Sequence, residues 1–543
     1  MTMRNSMRCR PPCVPLSGNS ALAGGDSGSG HLIRRARAIG ALTAALVTVG
    51  CTPGPAFVHP SAPPVKGYLP ASQKQATPPG KAGPAMQRFR KGVTPPHRWW
   101  HLFHCDRISN LVALAVKHSP TIAAAHATLA QAQASMRANE SVFYPQVTAN
   151  ATTSRQLVPG SAFGGSFPNR TYTLHTASLQ VGYYPDLFGL NRLVYEASGA
   201  QVEVQRDRME ATYLSLESQV VTTALQQASL REQIQATHAV IASEKKMLHL
   251  ARVRYKAGET TQLDVFTQQS QLNSSEASLP PLEQALDAAT NQLAVLAGQF
   301  PANWTHAPLK LSEVKLPLHL PVSLPSALVR QRPDIRAAVA TLRQRNAQVG
   351  ESIAKRYPRL QLTAQLGSEA VSAGSMFTAG SEMWKLLADF TAPVFEGGKF
   401  KAQQQQAKAA YRAAQADYAS SVLGAFQQVA NALRAIQHDG RTLRARLRAY
   451  QAAKQALGLL NTQYRAGAVD YLHLLNGQVT YSQARIAYVK ARAQRYIDTA
   501  ALFDALGGGW WPAQSGDSDK SAPPAHAEPA STRQQESPRV GHS

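Results

Sequence analysis

The 543-residue chain is long enough for a large core or two to four average domains, and its 44% apolar content is that of a folded protein. Its 56 Lys and Arg against 32 Asp and Glu leave a net charge of +24, which suits a solvated basic surface, nucleic acid or an anionic membrane face. Four cysteines exclude a disulfide scaffold, and the sequence has no HExxH, no GxSxG in a strand-to-helix context, no phosphate loop and no CxxC, so nothing in it supports an enzyme.

The only compact apolar run, "AIGALTAALVTVG" at residues 38–50, follows Arg34, Arg35 and Arg37. A helix needs about 20 apolar residues to span a bilayer. This run is too short, and with its basic flank it reads as a secretory signal peptide over residues 1–50. The "TVGC" that ends it resembles a bacterial lipobox, with Gly50 in place and Thr48 where Leu is usual. That resemblance implies cleavage before Cys51 and a covalent lipid on its sulfur, and no other cofactor is expected. Residues 51–98, rich in Pro, Gly and Ala, read as a lipid-anchored extended tether, and residues 512–543 as a disordered polar tail.

Between them lies an internal repeat. "LVALAVKHSPTIAAAHATLAQAQASMRANESVFYP" (111–145) overlays "LPSALVRQRPDIRAAVATLRQRNAQVGESIAKRYP" (324–358) without a gap at an offset of 213. "YKAGETTQLDVFTQQ" (255–269) overlays "YRAGAVDYLHLLNGQ" (464–478) at an offset of 209. Two units of one structure are expected, over residues 99–304 and 305–511.

Within each unit the period changes in a fixed order. Residues 121–142 and 334–356 read as helices, each ended by Tyr-Pro, because the residue before proline is pushed out of the helical region. Alternation follows: Leu360, Leu362, Ala364 and Leu366 share one face, Gln361, Thr363 and Gln365 the other, as Val147, Ala149 and Ala151 do against Gln146, Thr148 and Asn150. Returning strands are expected at 177–184 and 386–393. Leu190 to Lys256 and Lys399 to Arg465 are almost free of Gly and Pro. At 1.5 Å per residue each makes a helix roughly 100 Å long. Gly258 and Gly467 close these helices, and a second helix runs back to Gly298 or Gly507, with Pro280-Pro281 kinking or breaking the first return. On alternation alone the strands fit a transmembrane barrel and a soluble sandwich equally well.

"CTPGPAFVHP", "RWWHLF" (98–103), "DLFG" (186–189), "LPSALVRQRPDIRAA" (324–338), "APVFEGGK" (392–399), the two "YxAG" segments and "LGGGW" (506–510) together resemble the TolC-like outer-membrane efflux proteins, in their lipoprotein branch. The resemblance implies a mixed α and β membrane fold: a duplicated unit of strand pair plus long helical hairpin, trimerising into a 12-stranded outer-membrane β-barrel with an α-helical periplasmic tunnel. It implies a homotrimer in outer-membrane lipid, partnered by a periplasmic adaptor and an inner-membrane pump of the resistance-nodulation-division type, and no nucleic acid. It places the gate at the hairpin tips, where the turns at Gly258 and Gly467 present Asp264, Asp470, Leu472, His473 and Asn476. His473 and Asn476 stand where relatives often place Asp, and a ring of histidines gains positive charge on acidification.

Two other functions compete. A periplasmic adaptor lipoprotein also uses a lipid and a helical hairpin, but has one hairpin where this chain repeats its unit twice. A basic coiled coil for polyanions is disfavoured because the basic residues are spread and not interleaved with aromatics.

Overall fold

The computed structural model describes residues 53–65, 67–69, 87–159 and 168–508. The signal peptide, Cys51 and the C-terminal tail lie outside the described residues.

In each half two helices precede the long strands, and the second ends within a few residues of a Tyr-Pro. In the first, α1 (Asp106–His118) and α2 (Pro120–Glu140) lead to β2 (Gln146–Val158) and β3 (Arg170–Tyr183), after β1 (Arg88–Lys91) near the N-terminus. Next come α3 (Leu190–Lys256), α4 (Gln262–Ala277) and α5 (Leu279–Leu296). The second half runs β4 (His319–Val322), α6 (Pro325–Gln331), α7 (Pro333–Ala354), β5 (Arg359–Ala370), β6 (Glu382–Thr391), α8 (Lys399–Arg465) and α9 (Tyr471–Ala505).

The four long strands form one antiparallel sheet, in the order β2, β3, β5, β6. Its register stacks like on like. Ala149, Leu179, Leu366 and Trp384 make one cross-strand row, Val147, Val181, Ala364 and Leu386 the next, and the opposite face carries Thr148, Gln180, Gln365 and Lys385. Leu366, Trp384 and Leu386 are exposed within the chain. One face is therefore a continuous apolar sheet surface and the other is polar. β3 and β6 start earlier than alternation suggested, because β3 holds its ladder with β2 out to Arg170 and β6 pairs with β5 from Glu382.

The 67-residue helices α3 and α8 keep the bounds expected from sequence. Each starts after a glycine in the left-handed region, Gly189 or Gly398. The return differs between halves. α9 is unbroken, whereas the first return breaks at Ser278 and restarts with Pro280 and Pro281 in the first turn of α5, where a missing N–H costs little. At mid-height "RWWHLF" supplies the core: Trp99 stacks on Phe503 at 5.3 Å between centroids, and Trp99, Phe103, Leu225 and Phe503 are fully buried.

The segment read from sequence as an extended tether is attached to the body along its described residues. Asn346 Nδ2 donates to Pro55 O at 2.8 Å, Tyr68 Oη to Ser323 O at 2.9 Å, and β1 pairs in parallel with β4. Buried Gln87 accepts from Arg495 Nε at 3.0 Å and donates to Thr499 Oγ1 at 3.1 Å. Lack of periodicity hid these contacts, since most of them use backbone carbonyls of an extended chain. Among the described residues no helix is long and apolar enough to cross a membrane.

Candidate functional site at the hairpin tips

Both hairpins turn by the same hydrogen bonds. Gly258 N–H donates to Tyr255 O and Glu259 N–H to Arg254 O; 209 residues later Gly467 N–H donates to Tyr464 O and Ala468 N–H to Gln463 O. Gly258 and Gly467 have φ of +76° and +73°, a region L side chains rarely adopt, so glycine is required there by the backbone.

The return helices are capped in two chemically different ways. Thr261 caps α4: its hydroxyl accepts the Asp264 N–H at 3.3 Å, while Asp264 Oδ2 accepts the Thr261 N–H at 3.1 Å and the Thr260 hydroxyl at 2.6 Å. These bonds, the Thr260 hydroxyl first, hold the Asp264 carboxyl below the usual carboxylate range. In the second tip the acid has moved to the cap. Asp470 Oδ1 accepts the His473 N–H at 2.9 Å and lies 2.6 Å from His473 Nδ1. The His473 N–H, then its ring, lower the Asp470 pKa.

The two tips touch one another. Tyr471 Oη donates to Gln268 Oε1, and the Arg254 guanidinium sits 4.6 Å from the Tyr464 ring centre. Behind them Ala251, Tyr464, Tyr471 and Leu474 form a small buried cluster. Leu472 is exposed, as are His473 and Asn476. Its repeat mate Leu263 is 72% exposed, so both tips offer an apolar side chain to the same end of the molecule. The sequence reading named Leu472 and passed over Leu263, Gln268, Arg254 and Tyr471. Leu263 was findable as the residue aligned with Leu472. The tyrosine contact was not, because it joins unlike positions of the repeat.

A family model described as outer membrane efflux protein matches residues 111–299 and 324–508. The chain belongs to the outer membrane efflux protein family. It is 29% identical over 452 residues to the pyoverdine export outer membrane protein OpmQ of Pseudomonas putida, spanning 82% of this chain and 94% of that one. It is 24% identical over 414 residues to the probable outer membrane lipoprotein SilC of Salmonella typhimurium, spanning 76% and 88%. The solved outer-membrane channel OprN superposes with a TM-score of 0.77 at 26% identity, covering 85% of this chain and all of that one. This efflux protein is thus an outer-membrane channel component of an efflux pump, and the adaptor alternative is set aside.

Proposed function

We propose that three copies of this efflux protein close their sheets into one twelve-stranded barrel and their hairpins into a periplasmic tunnel, sealed at the tips and opened by a partner. The observation that carries this is the pair of free sheet edges. Among the described residues β2 and β6 end the sheet without a neighbour, while its apolar face runs unbroken across all four strands. Open strand edges are too costly in lipid, and four strands cannot close on themselves. A ring of copies, each joining β6 to the next β2, removes every edge.

The duct supplies no energy. An inner-membrane pump of the resistance-nodulation-division type loads substrate through a periplasmic adaptor that engages the tips, and the channel lets it leave. Leu472 with Leu263 forms the apolar constriction, and Asp264, Asp470 and His473 set the charge at the entrance, with Asn476 one turn further in. Gly258 and Gly467 serve the turns themselves. Cys51 carries lipid: two residues on, Pro53 passes Gly350, near the start of α3 and close to the strand-to-helix junction where the bilayer ends, and the relative SilC is named a lipoprotein.

Single-channel conductance of the detergent-purified protein in a planar bilayer, after sizing by light scattering, tests the reading. Discrete low-conductance steps from a trimer are expected. A soluble monomer that never inserts would overturn it.

A further inference from the structure

The two halves keep a single offset of 209 residues from the first residues of the long helices, Leu190 and Lys399, to the closing glycines, Gly298 and Gly507. Every position on one hairpin therefore has a mate on the other. Inside the chain the hairpins meet where α3 packs on α9, and that seam carries an ion pair: Arg492 Nη1 lies 3.5 Å from Glu232 Oε1. The mate of Glu232 is Arg441, on α8, and the mate of Arg492 is Glu283, on α5. The charges are exchanged.

Within one chain these mates are far apart. The helices lie in the order α4 and α5, then α3, α9, α8, so Glu283 and Arg441 sit on opposite margins of the wall, as β2 and β6 do in the sheet. Both are exposed. The Arg441 guanidinium bonds the His438 ring at 2.8 Å, and among the described residues it meets no acid, nor does Glu283 meet a base. The margins also differ in bulk charge. α4 and α5 hold Asp264, Glu276, Glu283 and Asp287 with no Lys or Arg, whereas α8 holds eleven Lys and Arg against Asp417 and Asp439. Arg441, Arg444 and Arg448 lie on one stripe of α8; because the facing helices are antiparallel, the repeat sets Arg441 level with Glu283 and Arg448 level with Glu276.

We propose that α8 docks on α4 and α5 of a second copy, with Arg441 facing the partner's Glu283, so that the seam between copies repeats the seam within the chain with its charges reversed. This rests on the ring assembly proposed above. The reversal gives the ring a direction: a basic margin repels a basic margin and fits an acidic one, so copies add head to tail and close. It also gives a role to the excess of nine positive charges on α8, within a chain total of +24.

The test uses the full-length lipoprotein in detergent. An Arg441→Cys/Glu283→Cys variant treated with a short bis-maleimide is expected to give covalent dimers and trimers on a denaturing gel. A Glu232→Cys/Arg492→Cys variant should link within one chain and run as a monomer. If light scattering shows a trimer but the first variant links no chains, the pairing is wrong and the ring stands; a monomeric wild type overturns both. Independently, Arg441→Glu should lower the trimer fraction severalfold, and adding Glu283→Arg should restore it. An unrestored double variant counts against the pairing.

Discussion

His473 occupies in the second hairpin the helix position that Asp264 occupies in the first, and each is bound to the residue capping its own helix. The tips are one backbone solution with two electrostatic fillings. In a closed trimer that gives alternating Asp264 carboxylates and Asp470–His473 pairs around the entrance. The hydrogen bonds that hold both carboxyls below the usual carboxylate range keep the entrance anionic. We expect Asp264→Asn with Asp470→Asn to lower the cation selectivity of the open channel. Reversal potentials in a salt gradient read it; an unchanged selectivity in the double variant would place the entrance charge elsewhere.

Leu263 and Leu472 are large apolar side chains left exposed at the tip of an isolated chain. If they close against their copies, truncation removes apolar contact at about 0.8 kcal/mol per buried methylene. Leu263→Ala with Leu472→Ala should raise resting conductance severalfold, with secondary structure unchanged by circular dichroism. Equal conductance in variant and wild type would place the constriction elsewhere.

The Tyr471 hydroxyl ties the tips through Gln268, and Gln268 is fully buried. Removing it leaves Gln268 Oε1 without its donor, a cost of about 1–3 kcal/mol. Tyr471→Phe should therefore make spontaneous openings more frequent in bilayer recordings. Combining it with Gln268→Leu, which removes the stranded acceptor, should add little further.

These contacts show what was legible in the sequence. The glycines, the 67-residue helices and the strand faces were readable because each obeys a local rule: a left-handed turn, a run free of helix breakers, a period of two. Leu472, proposed here as a gate residue, came through the family resemblance, and the repeat then leads to Leu263. Tyr471–Gln268 and Arg254–Tyr464 did not, since they join residues with no shared position in the repeat. The strap failed for another reason. Its binding is carried by Pro55 O, the Tyr68 hydroxyl, a β1 backbone ladder and one buried Gln87, and the apolar residues that pack with them on the core, Tyr68, Leu69 and Phe89, follow no period.

Asp439 faces Asp498 and Arg495 across the α8–α9 seam, and burial, then the neighbouring carboxyl, raise its pKa to about 8. The folded protein thus holds a proton there that the unfolded chain, titrating near 3.8, releases. Stability from this group is full below about pH 4 and declines as pH rises towards 8. Asp439→Asn should flatten that decline, so its melting temperature gains on wild type at pH 8.5 and not at pH 4. An equal difference at both pH values would show that the carboxyl is ionised throughout.

Gly54 and Gly350 mark a close backbone crossing. A Cβ on Gly54 would stand 2.9 Å from Gly350 Cα, and one on Gly350 would stand 2.9 Å from Leu193 Cδ2 and 3.3 Å from Pro53 O. This crossing pins the strap at Gly54, three residues after Cys51, the cysteine proposed to carry lipid. Backbone cannot yield as a side-chain tip can, and overpacking here should cost about 1–3 kcal/mol. Gly54→Ala should therefore free residues 53–65 to limited proteolysis with the hairpins intact. Gly350→Ala should do less, because the Leu193 methyl can rotate away. Equal protection of the strap in wild type and both variants would mean that the tyrosine at 68 and the β1 ladder hold it without the crossing.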